Sequence, residues 1–343
     1  MTSNNKMFEK YLREKASLMR ASLRDQDFIA EVRKEWKMMT QNEKQLSTEP
    51  SVSGSDETLS AIKDMDDDGF VEEYREKMVK ELVQYKSKEA LMDAKIYLMS
   101  SNIQCVVRNT YPPLEIGFVE YTIRGGIQRI HHKFMDLGDI PSGYAWSAIN
   151  HMQSTHKIPL KNFELASKDF AAIGDGILDF LEPSRVPIVG VEKSGHPLIV
   201  FSLWDQMDQN EGALKWLANK CCEGMDWNIR VLDVSLLLKA IYSAVAITQP
   251  LVVCRHKLST ASFDYSLDTD CHFHDELQTI HCAQGVAKRI AYALSLSFFG
   301  VFRFKLLPTH LPSRELKKYS YFGFIEDGLQ NLGLGDENLE PNN

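Results

Sequence analysis

Apolar residues recur at helical spacing in the first part of the chain and gather in short, strand-like runs after it. Over residues 1–45 two stripes, one of them containing Phe28 and Trp36, predict two helices. A further helical stripe runs from Val71 to about Asp93. From Lys95 onward apolar runs of strand length alternate with helical segments. The pattern therefore predicts a small helical region followed by an α/β domain.

The strongest strand signal is a hairpin. Residues 115–123 and 127–135 are two apolar runs, and Arg124-Gly125-Gly126 between them has the composition of a tight turn. Later segments continue the alternation of strands and helices, with strands predicted at 187–191, 197–202 and 229–233 and helices at 168–181, 212–222, 235–245 and 284–299. A hairpin followed by such alternation indicates a mixed sheet flanked by helices.

Charge and composition separate the chain into regions. Residues 46–75 contain nine acidic and two basic side chains, which is typical of a solvated linker. We divide the chain into helices at 1–45, an acidic linker and helix at 46–91, an α/β domain at 92–312 and a tail at 313–343 that is disordered at its end. Hydrophobic residues make up 44% and charged residues 25%, values that exclude a fibrous or mostly disordered protein. The net charge of −8 argues against a histone-like protein.

Membrane insertion and disulfide bonding are not expected. The most apolar stretches, 240–254 and 290–302, are shorter than the roughly 20 residues that a membrane-spanning helix needs. The first twenty residues are charged throughout and lack the apolar core of a signal peptide. We therefore expect an intracellular, soluble protein whose six cysteines are reduced, and a metal site explains a cysteine cluster better than a disulfide does.

One segment concentrates possible metal ligands. Cys271 and His274 have the C-x2-H spacing that lets one turn present two ligands, and Cys282 follows at the start of an apolar helix. Thiolate and imidazole together favour zinc over magnesium. Three ligands do not complete a structural site, and His281 is a rival for the imidazole. The alternative is that these histidines lie on the surface and Cys282 is a core thiol.

Carboxylates for a two-metal nuclease are scarce in the predicted strands. The runs 95–100 and 197–202 contain none, and Asp233 at a strand end is typical of a helix cap. Glu115 and Glu120 have opposite parity on one strand, so they face opposite sides. We expect Glu120 to face solvent, while Glu115 can point inward.

Several phrases, in order and spacing, resemble the Maelstrom family of germline small-RNA silencing factors. The first is the hairpin that starts at Pro112-Pro113-Leu114-Glu115-Ile116-Gly117, and the next are Ile140-Pro141-Ser142-Gly143-Tyr144 and His156-Lys157-Ile158-Pro159. The last is Phe263-Asp264-Tyr265, which runs into Cys271-x-x-His274 and Cys282-Ala283. The resemblance covers roughly residues 92–312.

The resemblance implies an RNase H-like fold related to DEDDh exonucleases, in which the usual acids are lost. It also implies one structural zinc ion held by Glu115, Cys271, His274 and Cys282, so that Glu115 becomes the fourth ligand. The implied function is transposon repression in the piRNA pathway of the germline, including meiosis, through RNA-mediated gene silencing. The implied locations are perinuclear germ granules of the cytoplasm and the nucleus. A single-stranded RNA endonuclease activity is implied as well, although the sequence offers no catalytic set for it.

The N-terminal helices resemble a degenerate HMG box. Residues 7–20 and 28–39 correspond to its first two helices, with Trp36 in the core. The basic arm is absent, and the acidic linker stands where the third helix belongs. Because an HMG box grips bent duplex DNA with basic residues and apolar wedges, we expect weak or no duplex binding here.

Two function classes follow for the α/β domain. In the first it binds single-stranded RNA and piRNA-pathway proteins, with Arg124, Arg129, Lys288 and Arg289 as the RNA-binding residues. In the second it is a protein-interaction scaffold on an exonuclease-derived fold, without catalysis. Surface charge discriminates between them, because an RNA-binding surface needs Lys and Arg along one face.

Overall fold

The computed structural model describes residues 68–181, 197–221 and 227–319. The HMG-box-like segment at 1–45, most of the acidic linker, the strand predicted at 187–191 and the tail beyond 319 lie outside these ranges. The described residues belong to one compact unit that begins at Asp68.

Helices and strands alternate along this unit as the sequence pattern predicts. The helices are α1 Asp68–Val83, α2 Lys88–Asp93, α3 Ala145–Ser154, α4 Phe170–Leu181, α5 Met207–Cys221, α6 Val234–Ala244, α7 Leu251–Lys257, α8 His272–Leu277, α9 Ala283–Phe302 and α10 at 313–319. The strands are β1 Ile96–Ile103, β2 Pro113–Thr122, β3 Gly126–Met135, β4 Ala166–Ser167, β5 Leu198–Ser202 and β6 Ile229–Asp233.

The six strands form one mixed sheet in the order β4-β3-β2-β1-β5-β6. Strand β2 is antiparallel to β1 and β3, whereas the pairs β3–β4, β1–β5 and β5–β6 are parallel. Glu115 on β2 lies opposite Asn102 on β1 and Phe134 on β3. The predicted hairpin and the predicted mixed α/β sheet flanked by helices are thereby confirmed.

Both faces of the sheet are covered, so β1 and almost all of β2 are buried. On one face Leu98, Val119 and Tyr121 pack in a cluster with α6 and α9. On the other face Met99 and Phe118 pack in a cluster with α4 and α5. Strand residues of opposite parity thus enter separate cores, as the two-residue period of a strand requires.

Helix α9 lies against the centre of the sheet on the first face. Among the described helices it alone is long and apolar enough to cross a membrane, but most of it is buried inside the protein, as in the core helix of a soluble fold. Gly117 on β2 makes its close approach possible, because a Cβ there would lie 2.6 Å from the backbone nitrogen of Gln284. The start of α9 is therefore held directly over β2.

Two expectations need correction. The helix predicted over 71–93 is in fact two helices. The first ends at Val83, and Ser87 caps the start of α2 by accepting a hydrogen bond from the backbone nitrogen of Ala90. Glu120 does not face solvent, since only 3% of it is exposed. Its carboxylate is paired with Arg129 and Lys95, which lets a charged strand residue lie beneath a helix layer.

Candidate metal centre

Four side chains from separate segments converge where β2 meets the start of α9. They are Glu115, Cys271, His274 and Cys282, and their ligand atoms all lie within 4.8 Å of one another. Glu115, His274 and Cys282 are fully buried, while Cys271 is half-buried. We call these four residues the donor cluster. It is a possible metal-binding site composed of the four residues expected from the sequence.

Local structure fixes each ligand. Glu115 projects from β2 on the same side as Gly117, towards α9. Cys271 is the N-cap of α8, and His274 lies on that helix three residues later. Cys282 is the N-cap of α9, where its Sγ atom accepts hydrogen bonds from the backbone nitrogens of Gly285 and Cys271, each at 3.3 Å. Two helix starts and one strand thus aim four donors at one point.

Distances within the cluster suit tetrahedral coordination. Nδ1 of His274 lies 3.2 Å from Sγ of Cys271 and 3.3 Å from Oε1 of Glu115, and Sγ of Cys282 lies 3.5 Å from the same oxygen. Donor atoms around a tetrahedral zinc ion, with bonds of about 2.0–2.3 Å, are about 3.3–3.8 Å apart. Two sulfurs, one nitrogen and one oxygen also form a donor set typical of zinc. The residues present therefore fit such an ion.

Neighbouring groups orient the ligands. Nε2 of His274 lies 2.9 Å from the carbonyl oxygen of His156, which leaves Nδ1 facing the other donors. Glu115 is held by Nε2 of His132 at 2.6 Å, Nδ2 of Asn102 at 2.6 Å and the backbone nitrogen of Ala283 at 3.0 Å. Such outer partners fix the rotamer and tautomer of metal ligands.

The electrostatics of the cluster favour a cation. Burial opposes ionisation of Glu115, but hydrogen bonds from His132 and His274 outweigh it and hold the pKa of Glu115 below its usual range. Burial likewise opposes protonation of His274, but hydrogen bonds to Cys282 and Glu115 raise the pKa of His274 to about 10. The pocket thus attracts positive charge, which a bound metal ion supplies while it displaces protons from the ligands.

The thiols of Cys271 and Cys282 also favour a bound cation. A hydrogen bond from Cys282 lowers the pKa of Cys271. Burial raises the pKa of Cys282, and its hydrogen bond to Cys271 raises it further. One thiol of the pair therefore ionises readily while the other retains its proton until a cation compensates the charge.

Sequence reasoning missed the supporting residues. Asn102 and His132 lie on the strands that flank β2, and only strand register places them beside Glu115. The sequence suggests only a structural role for His156, which is a lone histidine in a predicted loop. In the structure its carbonyl group, and not its ring, contacts the donor cluster. His281, the rival ligand, lies outside the donor cluster, although its carbonyl oxygen accepts a hydrogen bond from Asn102.

The four residues predicted to bind RNA all have partners inside the protein. Arg124 forms an ion pair with Asp93 at 2.5 Å, and the guanidinium of Arg129 pairs with Glu120 and stacks on the ring of Phe180. Both arginines remain accessible at the surface, so their role in RNA binding stays a prediction. Their charges are nevertheless balanced by adjacent carboxylates.

Lys288 and Arg289 require a correction. Lys288 is 8% exposed and donates to the carbonyl oxygen of Asp268, and Arg289 is 1% exposed and pairs with Asp270. A fully buried guanidinium cannot reach a phosphate, so the expectation of a surface patch at Lys288-Arg289 is wrong. The physical reason is that this pair lies on the buried face of α9, where Arg289 braces the loop that carries Cys271.

A second polar cluster lies where β1 and β5 meet α5. Asn210 is hydrogen-bonded to Ser101 at 2.7 Å and to Ser202 at 2.8 Å, and Ser100 is hydrogen-bonded to Gln206 at 3.0 Å. We call these five residues the hydroxyl–amide network. Within the described ranges no carboxylate takes part in it. Asp233 caps α6 through the backbone nitrogen of Ser235, as expected.

Comparisons with known proteins point to one family. A family model for Maelstrom, described as a piRNA pathway germ-plasm component, matches residues 104–317. A protein maelstrom homolog of Xenopus tropicalis is 32% identical over 206 residues, which are 60% of this chain and 47% of that protein. The human homolog is 30% identical over 204 residues, which are 59% of this chain and 44% of that protein.

The homolog of Mus musculus is 27% identical over 235 residues, which are 67% of this chain and 51% of that protein. The chain thus spans about half the length of the curated relatives it matches. The matched region contains Glu115, Cys271, His274 and Cys282 as well as strands β2 to β6, and it begins directly after β1. The family model covers most of the chain, and the protein belongs to the Maelstrom family.

Proposed function

We propose that this protein is a germline silencing factor of the piRNA pathway, which represses transposons and acts in perinuclear germ granules and the nucleus. Its α/β domain, RNase H-like in fold, holds one structural zinc ion through Glu115, Cys271, His274 and Cys282 and binds single-stranded RNA. Family membership supports the pathway. The observation that carries the zinc site is the convergence of two thiols, one imidazole and one carboxylate in a buried cluster.

The zinc ion has a structural role in this proposal. All four protein donors point at one position, and a tetrahedral site closed by four protein ligands leaves no coordination position for water or substrate. The ion ties β2 to α8 and to the start of α9. Its binding free energy therefore adds directly to the stability of the fold.

Metal analysis of the purified full chain tests the zinc site. We expect one zinc per chain, lost in Cys271→Ser and in Cys282→Ser together with a lower melting temperature. The chain offers matched controls, since Cys221 is half-buried like Cys271, and Cys254 is buried like Cys282. Cys221→Ser and Cys254→Ser should retain the zinc. Equal zinc content in all four variants would contradict the proposed ligands.

Cleavage by the usual two-metal mechanism is not part of this proposal. That chemistry needs acidic side chains around two ions. Neutral side chains form the hydroxyl–amide network of β1 and β5 instead, and the carboxylate of Glu115 belongs to the donor cluster. The proposed RNA binding therefore does not depend on two-metal hydrolysis of the RNA.

A second candidate function is a protein-interaction scaffold without RNA binding. The internal pairing of Arg124, Arg129, Lys288 and Arg289 favours it, because these cations contribute little net positive charge to the surface. Binding of a fluorescent single-stranded RNA to the full chain at low salt discriminates the two. Salt-sensitive binding supports the RNA-binding function, and its absence at 50 mM salt supports the scaffold.

A further inference from the structure

The described chain has another concentration of positive charge, which lies after α9 and apart from the donor cluster. Residues 302–319 contain five Lys/Arg side chains and one carboxylate in a chain that is acidic as a whole. All five basic residues are exposed, and we call Arg303, Lys305, Arg314, Lys317 and Lys318 the basic strip. Glu115 and its partners are not involved in it.

The strip has few internal partners. Lys318 pairs with Glu315 at 2.8 Å. Within the described ranges, Arg303, Lys305, Arg314 and Lys317 have no carboxylate within ion-pair distance. This separates them from the four cations predicted from the sequence, which are all engaged inside the protein. Their charge remains available to an anionic partner.

Helix α10 presents three of these charges on one side. Arg314, Lys317 and Lys318 have the i, i+3, i+4 spacing that places side chains on one helix face. Leu316 and Tyr319 pack against the core on the opposite face. The basic face of α10 therefore points away from the protein, and the helix is anchored by its apolar side.

Aromatic contacts bring the remaining two charges beside α10. Phe304, which lies between Arg303 and Lys305, contacts the ring of Phe299 with centroids 6.1 Å apart. Tyr319 contacts the same ring at 6.4 Å. The segment after α9 and the end of α10 are thus neighbours, so Arg303 and Lys305 lie in the segment that packs beside α10.

A cleft of about 200 Å³ adjoins the start of α10. Leu267, Leu311 and Pro312 supply apolar walls, while Lys288, Tyr292 and Ser313 supply polar groups. Asp268 also lines this cleft, and the largely buried Lys288 donates its ammonium group to the carbonyl oxygen of Asp268. Its lining suits a planar ring that carries hydrogen-bonding groups.

The turn between the strip and the cleft is held rigidly. The backbone nitrogen of Ile127 donates to the carbonyl oxygen of Thr309 at 2.9 Å, and Oγ1 of Thr309 donates to Gly125 at 2.7 Å. His310 accepts from the backbone nitrogen of Leu307 through Nδ1. These bonds tie the segment to the β2–β3 turn, so the strip is a preformed surface of the domain.

We infer that the basic strip and the adjoining cleft bind single-stranded RNA, with phosphates along α10 and one unstacked base in the cleft. This inference rests on the proposed RNA-binding function and names the surface that carries it. Cationic side chains track a nucleic-acid backbone, whereas a cleft that accepts a free ring selects a strand whose bases are unpaired. Duplex DNA offers the charge but no free base.

Charge neutralisation in the full chain tests the strip. The variant R303Q/K305Q/R314Q/K317Q removes four charges, and the control K77Q/K161Q/K168Q/K215Q removes four exposed charges elsewhere on the described surface. Fluorescence anisotropy with a 20-mer oligo(U) measures affinity between 50 and 200 mM salt. Each lost phosphate contact reduces the slope of log affinity against log salt concentration by about 0.7. The slope of the strip variant should therefore be shallower by up to about 3, and its affinity at low salt should be lower by roughly tenfold or more.

The control variant should bind oligo(U) nearly as the wild type does. Equal binding by the wild type and the strip variant would overturn the inference while leaving RNA binding itself intact. No binding by the wild type at 50 mM salt would overturn the proposed RNA-binding function instead. Inorganic polyphosphate of matched charge serves as a second probe, and if it bound the wild type as tightly as oligo(U), the assignment of the cleft to a base would be wrong.

Discussion

The two buried polar clusters of this domain lie on neighbouring parts of one sheet but are built from opposite chemistry. The donor cluster combines a carboxylate, two thiols and an imidazole, all of which titrate. The hydroxyl–amide network combines three serines with Asn210 and Gln206, none of which titrates. Buried ionisable groups are costly unless compensated, whereas neutral polar groups need only hydrogen-bond partners. The first cluster thus calls for a cation, and the second satisfies itself.

This difference bears on nuclease chemistry. A two-metal site gathers carboxylates that cannot share a buried space without their ions. In the network, the hydroxyl group of Ser101 donates to Asn210, whose amide donates in turn to Ser202. A self-satisfied neutral network has no need of Mg2+. The sheet therefore keeps one site that is suited to a metal ion and one polar site that is not.

The largest effect is expected from Glu115→Ala. It removes a ligand and also the acceptor for Asn102, His132 and the backbone nitrogen of Ala283. We expect loss of zinc and, in the metal-free protein, a fall of about 3–5 kcal/mol in the free energy of unfolding. Denaturant titration followed by circular dichroism, with metal analysis, measures both. Glu120→Ala is the matched control, since it removes a buried carboxylate of the same strand and should leave zinc bound.

A smaller effect is expected from Asn210→Ala in the hydroxyl–amide network. It leaves the hydroxyl groups of Ser101 and Ser202 without their partner, which costs about 1–3 kcal/mol for a buried polar group. Zinc content should stay at one per chain. Loss of metal in this variant would show that the two clusters are coupled rather than independent.

The pH dependence of stability should also differ between the two clusters. The pKa of Glu115 lies below its ordinary value of 4.5, so its ionised form stabilises the fold above that pH, and the contribution is lost as the pH falls through the folded-state pKa. In the presence of chelator, the stability gap between wild type and Glu115→Gln should stay constant from pH 7 down to about pH 5 and shrink as the pH falls below 4.5. The gap for Ser101→Ala should stay constant, because no group of the network titrates. Parallel behaviour of the two variants would contradict this assignment.

The smallest expected response is to magnesium. Millimolar Mg2+ should leave the melting temperature of the full chain and the length of an added single-stranded RNA unchanged, because the network offers no carboxylates to bind it. Thermal unfolding and gel analysis of the RNA measure the two quantities. Mg2+-dependent release of single nucleotides would mean that an acidic site exists elsewhere in the chain.

The sequence predicts the framework well where its signals are local. The hairpin of β2 and β3 follows from two apolar runs around Arg124-Gly125-Gly126, and α9 follows from its length and apolarity. Cys271, His274 and Cys282 have a spacing that suggests a metal site on their own. Glu115 as the fourth member depends on the resemblance to Maelstrom proteins, because strand pairing brings it to the others from far away in the chain.

Burial of charge is the part that local patterns do not convey. The sequence pattern places Lys288 and Arg289 on the polar face of a helix. In the structure the loop that carries Asp268 and Asp270 covers that side of α9. The strand pattern predicts that Glu120 faces solvent, but ion pairs with Arg129 and Lys95 allow its carboxylate to be buried. The predicted end of the domain at residue 312 falls just before α10, so the prediction assigns the residues of the basic strip to two regions. In the structure Leu316 and Tyr319 pack against the core, so α10 belongs to the α/β domain.

The wide separation of the ligands along the chain has a consequence for synthesis. Glu115 emerges from the ribosome 156 residues before Cys271, and Cys282 follows only after another eleven. Until then the carboxylate of Glu115 has Asn102 and His132 as partners but none of the other three members of the donor cluster, and a shorter chain carries an incomplete pocket beside its sheet. All four donors exist together only once the chain has been made as far as Cys282. A metal ion that needs all four ligands could therefore bind only late in synthesis, after every strand of the sheet has been made.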